Sequence, residues 1–354
     1  MFLPYLDFLP RVAPPFDLAP SAAVIGRVEA GPGLVLRGNA TLRADGEWIR
    51  IGANAFFAER ATVHIVDGML PAVIGDDATV GRYALVHACT VGDGVVVGDA
   101  AVVMDGAVVG SHALIAPGAL VAPRKVLAGG ALYAGSPAVK VREVSAVELA
   151  QAARAIRDDA SSPAVREADL PALSNAGYDL AGATAGSFAI GGDAPLHSRS
   201  FVAPTALVAG AVTTADDAGV YFGCAIVAGG ARIAVGAATN VQDNAVLVTD
   251  AARGNLVIGS GVTIGHNVRI GAAVIGDDAL IGMGAQMGDG VVVEAGACVG
   301  GRAWVEPGTV VKSGWIWAGR PAMPFREITP DERRSFARAG EVYVRYTRAY
   351  RGAG

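Results

Sequence analysis

Aliphatic residues recur every six positions over most of the chain. From Val73 the sequence reads VIGDDA, TVGRYA, LVHACT, VGDGVV and VGDAAV, and the same rhythm returns from Val257 as VIGSGV, TIGHNV and RIGAAV. A six-residue period suits a short strand followed by a tight corner, and three such strands close one coil of about 18 residues. The pattern therefore predicts a parallel β-solenoid in which aliphatic side chains of successive coils stack inside.

Corners in such a coil need residues that accept a positive φ angle. Glycine, asparagine and aspartate do so most readily, and the chain has 48 glycines. We therefore expect the hexad glycines at corners. A doubly wound α/β sheet would require amphipathic helices between its strands, and the pattern indicates none through 20–140.

The chain is an internal duplication with an offset of 184 residues. This offset aligns Pro20 with Pro204 and Gly26 with Gly210, and both copies end alike, as AGSPAVKVREVSAVE and AGRPAMPFREITPDE. The repeat predicts two domains, 1–160 and 191–354. The segment 161–190 is rich in Ala, Ser, Pro and Gly and is interpreted as a linker.

Each copy ends in a helix-start motif. Ser145 with Glu148 and Thr329 with Glu332 have the spacing of a capping box, and Pro330 suits a first helical position. The spacing predicts helices over 146–157 and 330–350, one closing each solenoid.

Composition excludes several classes of partner. The formal net charge is −5 without a basic block, so we expect neither nucleic acid nor a membrane surface as a partner. Three widely spaced cysteines suggest buried free thiols in a reducing, cytoplasmic compartment. The N-terminus lacks the pattern of a signal peptide, and no run of 18 apolar residues exists to span a membrane.

The hexads resemble those of the hexapeptide-repeat superfamily of left-handed β-helix proteins. The two copies, over about 20–150 and 204–350, further resemble the γ-class carbonic anhydrases. That family shows R-x-D, then I-x-I-G, then Q-D-x-x-x-x-H and G-H-x-x-x-x-H, and ends in a segment such as AGRPAMPFREIT. The resemblance implies an all-β fold of two left-handed parallel β-helix domains in tandem, each closed by a C-terminal helix.

The family's three metal-ligand positions are divided between the copies. The first copy carries His64 and His87 at the first and third positions, but Arg82 at the second. The second copy carries His266 at the second position, and Val248 and Gly271 at the other two. In the family the site lies between neighbouring subunits. The resemblance therefore implies one three-histidine site, shared between a first-half and a second-half domain.

A set of three imidazoles with an open position suits catalytic Zn²⁺, and Fe²⁺ or Co²⁺ would accept the same ligands. The resemblance implies a carbonate dehydratase, a lyase that hydrates CO2 to bicarbonate. It also implies a homo-oligomer with trimer-like packing of its β-helix domains. The opposite interface, with Arg82, Val248 and Gly271, would hold no metal because a guanidinium stays protonated.

Further residues are carried over from the same family pattern. Gln242 is the candidate for orienting hydroxide or substrate. Arg43 and Asp45, with Asp243 opposite, are expected in an ion-pair network that borders the site. Asp67 and Glu59 are candidate proton shuttles.

Two other functions remain open from the residues. A hexapeptide-repeat acyltransferase would use His266 or His87 as a general base beside an acyl-CoA cleft. A degenerate structural or assembly protein would keep the solenoid without metal. His112 and His197 are interpreted as exposed or hydrogen-bonded residues, and Tyr343, Tyr346 and Tyr350 as a packing face of the last helix.

Overall fold

The chain forms two compact units, Met1–Pro163 and Ala164–Gly354. In this computed structural model, the described residues are 1–159 and 196–352. They consist almost entirely of short, stacked, parallel strands, with one helix in each unit. The prediction of two β-solenoids with terminal helices is thus confirmed. The interpreted linker, 161–190, lies outside the described residues.

The first unit contains strands β1 to β20 and helix α1. In chain order the strands are Phe2–Leu3, Arg11–Val12, Phe16–Leu18, Ala23–Ala30, Leu34–Leu36, Thr41–Ile51, Phe56–Phe57, Thr62–His64, Ala72–Ile74, Thr79–Val80, Leu85–His87, Thr90–Val91, Val96–Val97, Val102–Val103, Val108–Val109, Leu114–Ile115, Leu120–Val121, Val126–Leu127, Ala131–Ala134 and Val139–Glu143. Helix α1 is Ala146–Asp159.

The second unit contains strands β21 to β38 and helix α2. In chain order the strands are Phe201–Val202, Leu207–Thr214, Gly219–Val220, Ala225–Val235, Asn240–Val241, Val246–Asp250, Leu256–Ile258, Thr263–Ile264, Arg269–Ile270, Ala273–Ile275, Leu280–Ile281, Gln286–Met287, Val291–Val293, Cys298–Val299, Trp304–Val305, Val310–Val311, Trp315–Gly319 and Ala322–Glu327. Helix α2 is Pro330–Gly352.

Strand pairing reproduces the predicted coil length. Val97 pairs with Ile115 and Ile115 pairs with Tyr133, so these coils advance the chain by 18 residues. The side chains in such a row point inward and are buried from solvent. Full burial of one aliphatic side chain contributes about 1.5–3 kcal/mol. Repetition of this contact along the solenoid forms the core.

The hexad glycines fall into two classes. Those at corners, such as Gly94 with φ 62° and Gly106 with φ 68°, adopt the predicted positive φ. The glycine that follows the aliphatic residue of a hexad serves a different purpose. A Cβ atom on Gly81 would stand 2.6 Å from the backbone nitrogen of Asp99 on the next coil. The positive φ falls two residues later, at Tyr83 with φ 52°. The glycine is therefore needed because adjacent coils approach closely, and the corner residue that follows it adopts the left-handed conformation.

Both helices begin at their predicted capping boxes. Ser145 Oγ accepts the backbone N–H of Glu148 at 3.2 Å, and Thr329 Oγ1 accepts that of Glu332 at 3.3 Å. In return each glutamate accepts the backbone N–H of its capping residue at 3.0 Å. In the described part of the chain, neither helix is long and apolar enough to cross a membrane.

Candidate metal centre

Two of the predicted ligands lie in one row on the first unit. Strands β6, β8 and β11 are neighbours, and their register pairs Arg43 with His64 and His64 with His87. The three residues are 0%, 3% and 4% exposed, so the row is excluded from bulk water. Consecutive coils thus bring together two imidazoles that are 23 residues apart in the sequence.

The two imidazoles approach each other at the distance expected for ligands of one cation. His64 Nδ1 lies 3.2 Å from His87 Nε2. Two nitrogens bound tetrahedrally to one Zn²⁺ at about 2.0–2.1 Å stand about 3.3 Å apart. The same separation also suits a hydrogen bond between the two neutral rings. The pair therefore fits a metal ion without rearrangement of the backbone.

Carboxylates lie beside the outer nitrogens of both rings. His87 Nδ1 is 2.5 Å from Asp105 Oδ1, and His64 Nε2 is 3.5 Å from Asp45 Oδ2. Asp45 also accepts a hydrogen bond from Arg43, and neither side chain of that pair is exposed. A carboxylate beside one ring nitrogen is the usual support of a metal-binding histidine.

The third predicted ligand belongs to the second unit. His266 follows strand β28 at a corner and is 0% exposed. Its Nδ1 lies 3.1 Å from Asp243 Oδ2, and its Nε2 lies 3.4 Å from the hydroxyl of Tyr343 on α2. Asp243 is itself held by the backbone N–H of Phe222, at 3.0 Å. His266 therefore also has a carboxylate beside one nitrogen.

Gln242 is held in a chain of polar side chains. Its Nε2 donates to Asn240 Oδ1 at 3.0 Å, and Asn240 Nδ2 donates to Thr263 Oγ1 at 3.0 Å. The buried Oε1 of Gln242 accepts no hydrogen bond from the described residues. Buried polar atoms are normally satisfied by protein or bound water. This oxygen is thus suited to accept a hydrogen bond from a bound molecule.

Known proteins resemble the chain over the length of one copy. No family model matches it. The carbonic anhydrase of Geobacillus kaustophilus is 30% identical over 156 residues, which cover 85% of that protein and 44% of this chain. Gamma carbonic anhydrase 2, mitochondrial, of Arabidopsis thaliana is 34% identical over 151 residues, or 41% of this chain. The match spans only 54% of that plant protein.

A solved structure, that of a hexapeptide transferase family protein from Anaplasma phagocytophilum, is 34% identical and covers 46% of this chain and 96% of its own, with a TM-score of 0.44. The bacterial carbonic anhydrase, matched over most of its length, decides the family.

The chain belongs to the γ-class carbonic anhydrase family of hexapeptide-repeat proteins.

Arg82, which the first copy carries at the predicted second ligand position, lies in a network of charged side chains. Arg82 donates from its guanidinium to Asp99 at 2.8 Å, and its Nε lies 3.6 Å from Glu59. Burial raises the pKa of Glu59, and the charge of Arg82 opposes that increase. Glu59, a candidate proton shuttle, thus lies beside a permanent cation.

In the second copy, the other two predicted ligand positions carry an apolar side chain or none. Val248 pairs with Val227, and both are buried in an apolar cluster. At the other position, Gly271 has no side chain. The second unit therefore has no imidazole row of its own.

The other candidates take structural positions. His112 is exposed at a corner with φ 61°, and His197 is exposed and accepts the backbone N–H of Arg199 at 3.2 Å. Asp67 lies half-buried in a loop closed by a bridge between Val66 and Leu70. These positions match the structural interpretation of the two histidines.

The sequence interpretation missed two residues that contact the candidate ligands. Asp105 has the Asp-Gly signature of a turn, and the pattern does not show that its carboxylate meets His87. Tyr343 is buried on α2, as the packing interpretation requires, yet its hydroxyl also contacts His266. An aspartate at the same place in both copies, Asp105 and Asp289, was the available signal.

The cysteines are buried and free, as predicted. Burial, together with the nearby charge of Asp105, raises the pKa of the Cys89 thiol. Burial raises that of Cys298 to about 12. Both remain neutral thiols near pH 7, so neither offers the thiolate that a metal ion prefers. The candidate ligands are therefore imidazoles.

Proposed function

We propose that this protein is a γ-carbonic-anhydrase-like metalloenzyme that hydrates CO2. Its metal site would take His64 and His87 from the first unit and His266 from the second. The observation that carries the proposal is the pair of buried imidazoles with facing nitrogens 3.2 Å apart. The complementary loss of ligands in the two copies supports the division of the site.

The residues fit Zn²⁺, which accepts three neutral imidazoles and keeps a fourth position open. His64, His87 and His266 are all buried, and each offers one ring nitrogen. Held by these residues, Zn²⁺ would supply the chemistry of a Lewis acid, which makes hydroxide available from water near pH 7. Fe²⁺ or Co²⁺ would accept the same ligands.

Protein groups would orient the reactants and exclude water. Gln242 Oε1 would accept a hydrogen bond from the attacking hydroxyl group, because Asn240 already holds its amide nitrogen. The buried pair Arg43–Asp45 would hold His64 in position through the Asp45 carboxylate. Proton release to solvent would use Glu59 or Asp67, the two candidates of the first copy.

We also propose a homo-oligomer with trimer-like packing of the β-helix domains and a cytoplasmic location. The family pattern supports the first of these, and the free cysteines support the second. CO2 and bicarbonate are the proposed substrate and product, and neither nucleic acid nor membrane is a proposed partner.

The test is the metal content of the purified full-length chain, measured together with CO2 hydration by stopped flow. We expect one metal ion per chain in the wild type and loss of both metal and activity in His64→Ala and in His266→Ala. His112→Ala is the matched control, since His112 is an exposed corner residue, and it should retain both.

Full metal content in His266→Ala would exclude a site shared between the two copies. Circular dichroism checks whether each variant is folded. Two results together would favour acyl transfer instead. The wild type would take up no Zn²⁺, and acetyl-CoA would raise its melting temperature.

A further inference from the structure

We propose that Asp105 is a positioning residue of the metal centre, which fixes the proton of His87 on Nδ1 and leaves Nε2 available as a ligand. The inference rests on the proposed function and extends it to a residue outside the family's ligand pattern. The contact would keep His87 ready to bind a metal ion in the metal-free protein.

Asp105 reaches His87 from the next coil of the solenoid. Strand β11 ends at His87 and pairs with β14, and Asp105 follows at the corner after β14. The contact joins residues 18 positions apart, which is one full coil. The solenoid repeat therefore determines which corner residue meets the imidazole.

The contact dictates which ring nitrogen carries the proton. A neutral imidazole has one N–H donor and one acceptor nitrogen, and an ionised carboxylate only accepts. At 2.5 Å from Asp105 Oδ1, Nδ1 of His87 is the donor when the carboxylate is ionised. The lone pair then lies on Nε2, which faces His64 Nδ1 at 3.2 Å. Nε2 is the nitrogen that points toward the other candidate ligand of the first unit.

Asp105 is the more exposed member of its pair with His87. His87 is 4% exposed, whereas the side chain of Asp105 is 35% exposed. The carboxylate thus keeps part of its hydration. An ionised acceptor also makes the imidazole a stronger ligand, since it polarises the N–H bond.

The second copy supplies an internal control. Asp289 occupies the position of Asp105 in the duplication, and Gly271 occupies that of His87. Without an imidazole to meet, Asp289 Oδ1 accepts the backbone N–H of Ala272 at 2.9 Å. The same residue therefore plays a purely structural part in one copy and faces a ligand in the other.

The first experiment measures Zn²⁺ affinity of the full chain by competition with a chromophoric chelator. Asp105→Ala should weaken affinity about 10–100-fold, the usual effect of removing such a support. Asp105→Asn should lose less Zn²⁺ affinity, because its amide oxygen still accepts the hydrogen bond from His87 Nδ1. Asp289→Ala should leave the affinity unchanged, although it also removes a corner carboxylate. Equal losses in Asp105→Ala and Asp289→Ala would overturn the proposal.

The second experiment tests the proton position without metal. Long-range ¹H–¹⁵N spectra of the metal-free chain, which has five histidines, distinguish the two neutral tautomers, and His87→Gln assigns the signal. We expect the Nδ1–H form in the wild type and in Asp289→Ala, and a mixture in Asp105→Ala. The Nε2–H form in the wild type would overturn the proposal.

The two experiments separate this inference from the proposed function. If the wild type takes up no Zn²⁺, the proposed function fails, and the tautomer spectra alone decide whether Asp105 fixes the His87 proton. If Zn²⁺ binds and Asp105→Ala changes neither affinity nor tautomer, only the positioning role fails.

Discussion

At the scale of single residues, the decisive feature is the direction of each imidazole. All three candidate ligands direct one ring nitrogen toward a carboxylate, in the pairs His64–Asp45, His87–Asp105 and His266–Asp243. Carboxylates in these positions orient the rings and stabilise the tautomer that binds metal. Each carboxylate belongs to the same unit as its histidine, so each candidate ligand is oriented within its own unit.

Gln242 allows a test at this scale. Gln242→Ala removes the buried oxygen that accepts nothing from the described residues, and we expect kcat/KM for CO2 hydration to fall about 100-fold, the usual loss for a preorganised polar group. Metal content should not change, because Gln242 is not a ligand. Stopped-flow kinetics and metal analysis on the same preparation measure both effects.

A matched control for this variant is Asn39→Ala, which removes a polar side chain from a corner of the first unit, where Asn39 adopts φ 56°. It should leave kcat/KM unchanged. Loss of metal in Gln242→Ala would show that the residue holds the site together rather than orients the reactants.

At the scale of elements, α2 connects its own N-terminal cap to the candidate site. It begins with the capping box of Thr329 and Glu332 and extends to Tyr343, which meets His266. The hydroxyl of Tyr221 donates to the backbone oxygen of Tyr343 at 3.0 Å and contacts Thr347 at 3.1 Å. These contacts position the helix on the solenoid and thereby position the Tyr343 hydroxyl.

The cap predicts a pH dependence of stability. Hydrogen bonds from Arg326, and from the Thr329 backbone, lower the pKa of Glu332 to about 2 from an ordinary value of 4.5. Because the pKa is depressed in the folded state, the stabilisation is complete above pH 4.5 and is lost as the pH falls toward 2. Glu332→Gln should therefore show a shallower fall in melting temperature between pH 5 and pH 3.

The Glu332 side chain is 30% exposed, so added salt should reduce the difference between the two proteins. Thr329→Ala, which removes the other half of the box, should lower the free energy of unfolding by about 1 kcal/mol. If the melting temperatures of the wild type and of Glu332→Gln fall in parallel with pH at low salt, this account is wrong.

At the scale of the whole molecule, duplication has been followed by divergence of the two copies. The first unit keeps an imidazole row and has an ion-pair network at Arg82, whereas the second keeps one histidine beside Asp243. Neither unit carries all three predicted ligands, since Arg82 stands at one position of the first copy and Val248 and Gly271 at two positions of the second. A change in either unit is therefore expected to abolish the function of both.

Zn²⁺ should stabilise the chain only when both units are intact. At a free Zn²⁺ concentration 100 times the dissociation constant, binding adds about 2.7 kcal/mol to the stability of the folded state. We expect the melting temperature of the wild type and of His112→Ala to rise with Zn²⁺. That of His64→Ala and of His266→Ala should not rise.

Differential scanning fluorimetry with and without a chelator measures the shift. A rise in His266→Ala equal to that of the wild type would assign the metal to the first unit alone and end the idea of a divided site.

Much of the fold could be predicted from local patterns. The hexads predict stacked strands because each repeat makes the same inward contact, and the capping boxes place the helix starts because a cap involves only residues three positions apart. The division of histidines between the copies is likewise visible in the sequence, once a family pattern and the 184-residue offset are aligned.

The sequence by itself determined the solenoid, its coil length, the two helices and the identity of the candidate ligands. Only the tertiary structure decided which side chains surround them. Asp105 meets His87 across 18 residues and Tyr343 meets His266 across 77. Such contacts depend on coil stacking, helix docking and side-chain rotamers, which no short-range pattern encodes. Hexad glycines such as Gly81 are needed because one coil lies directly against the next, whereas Gly94 and Gly106 occupy corners as predicted.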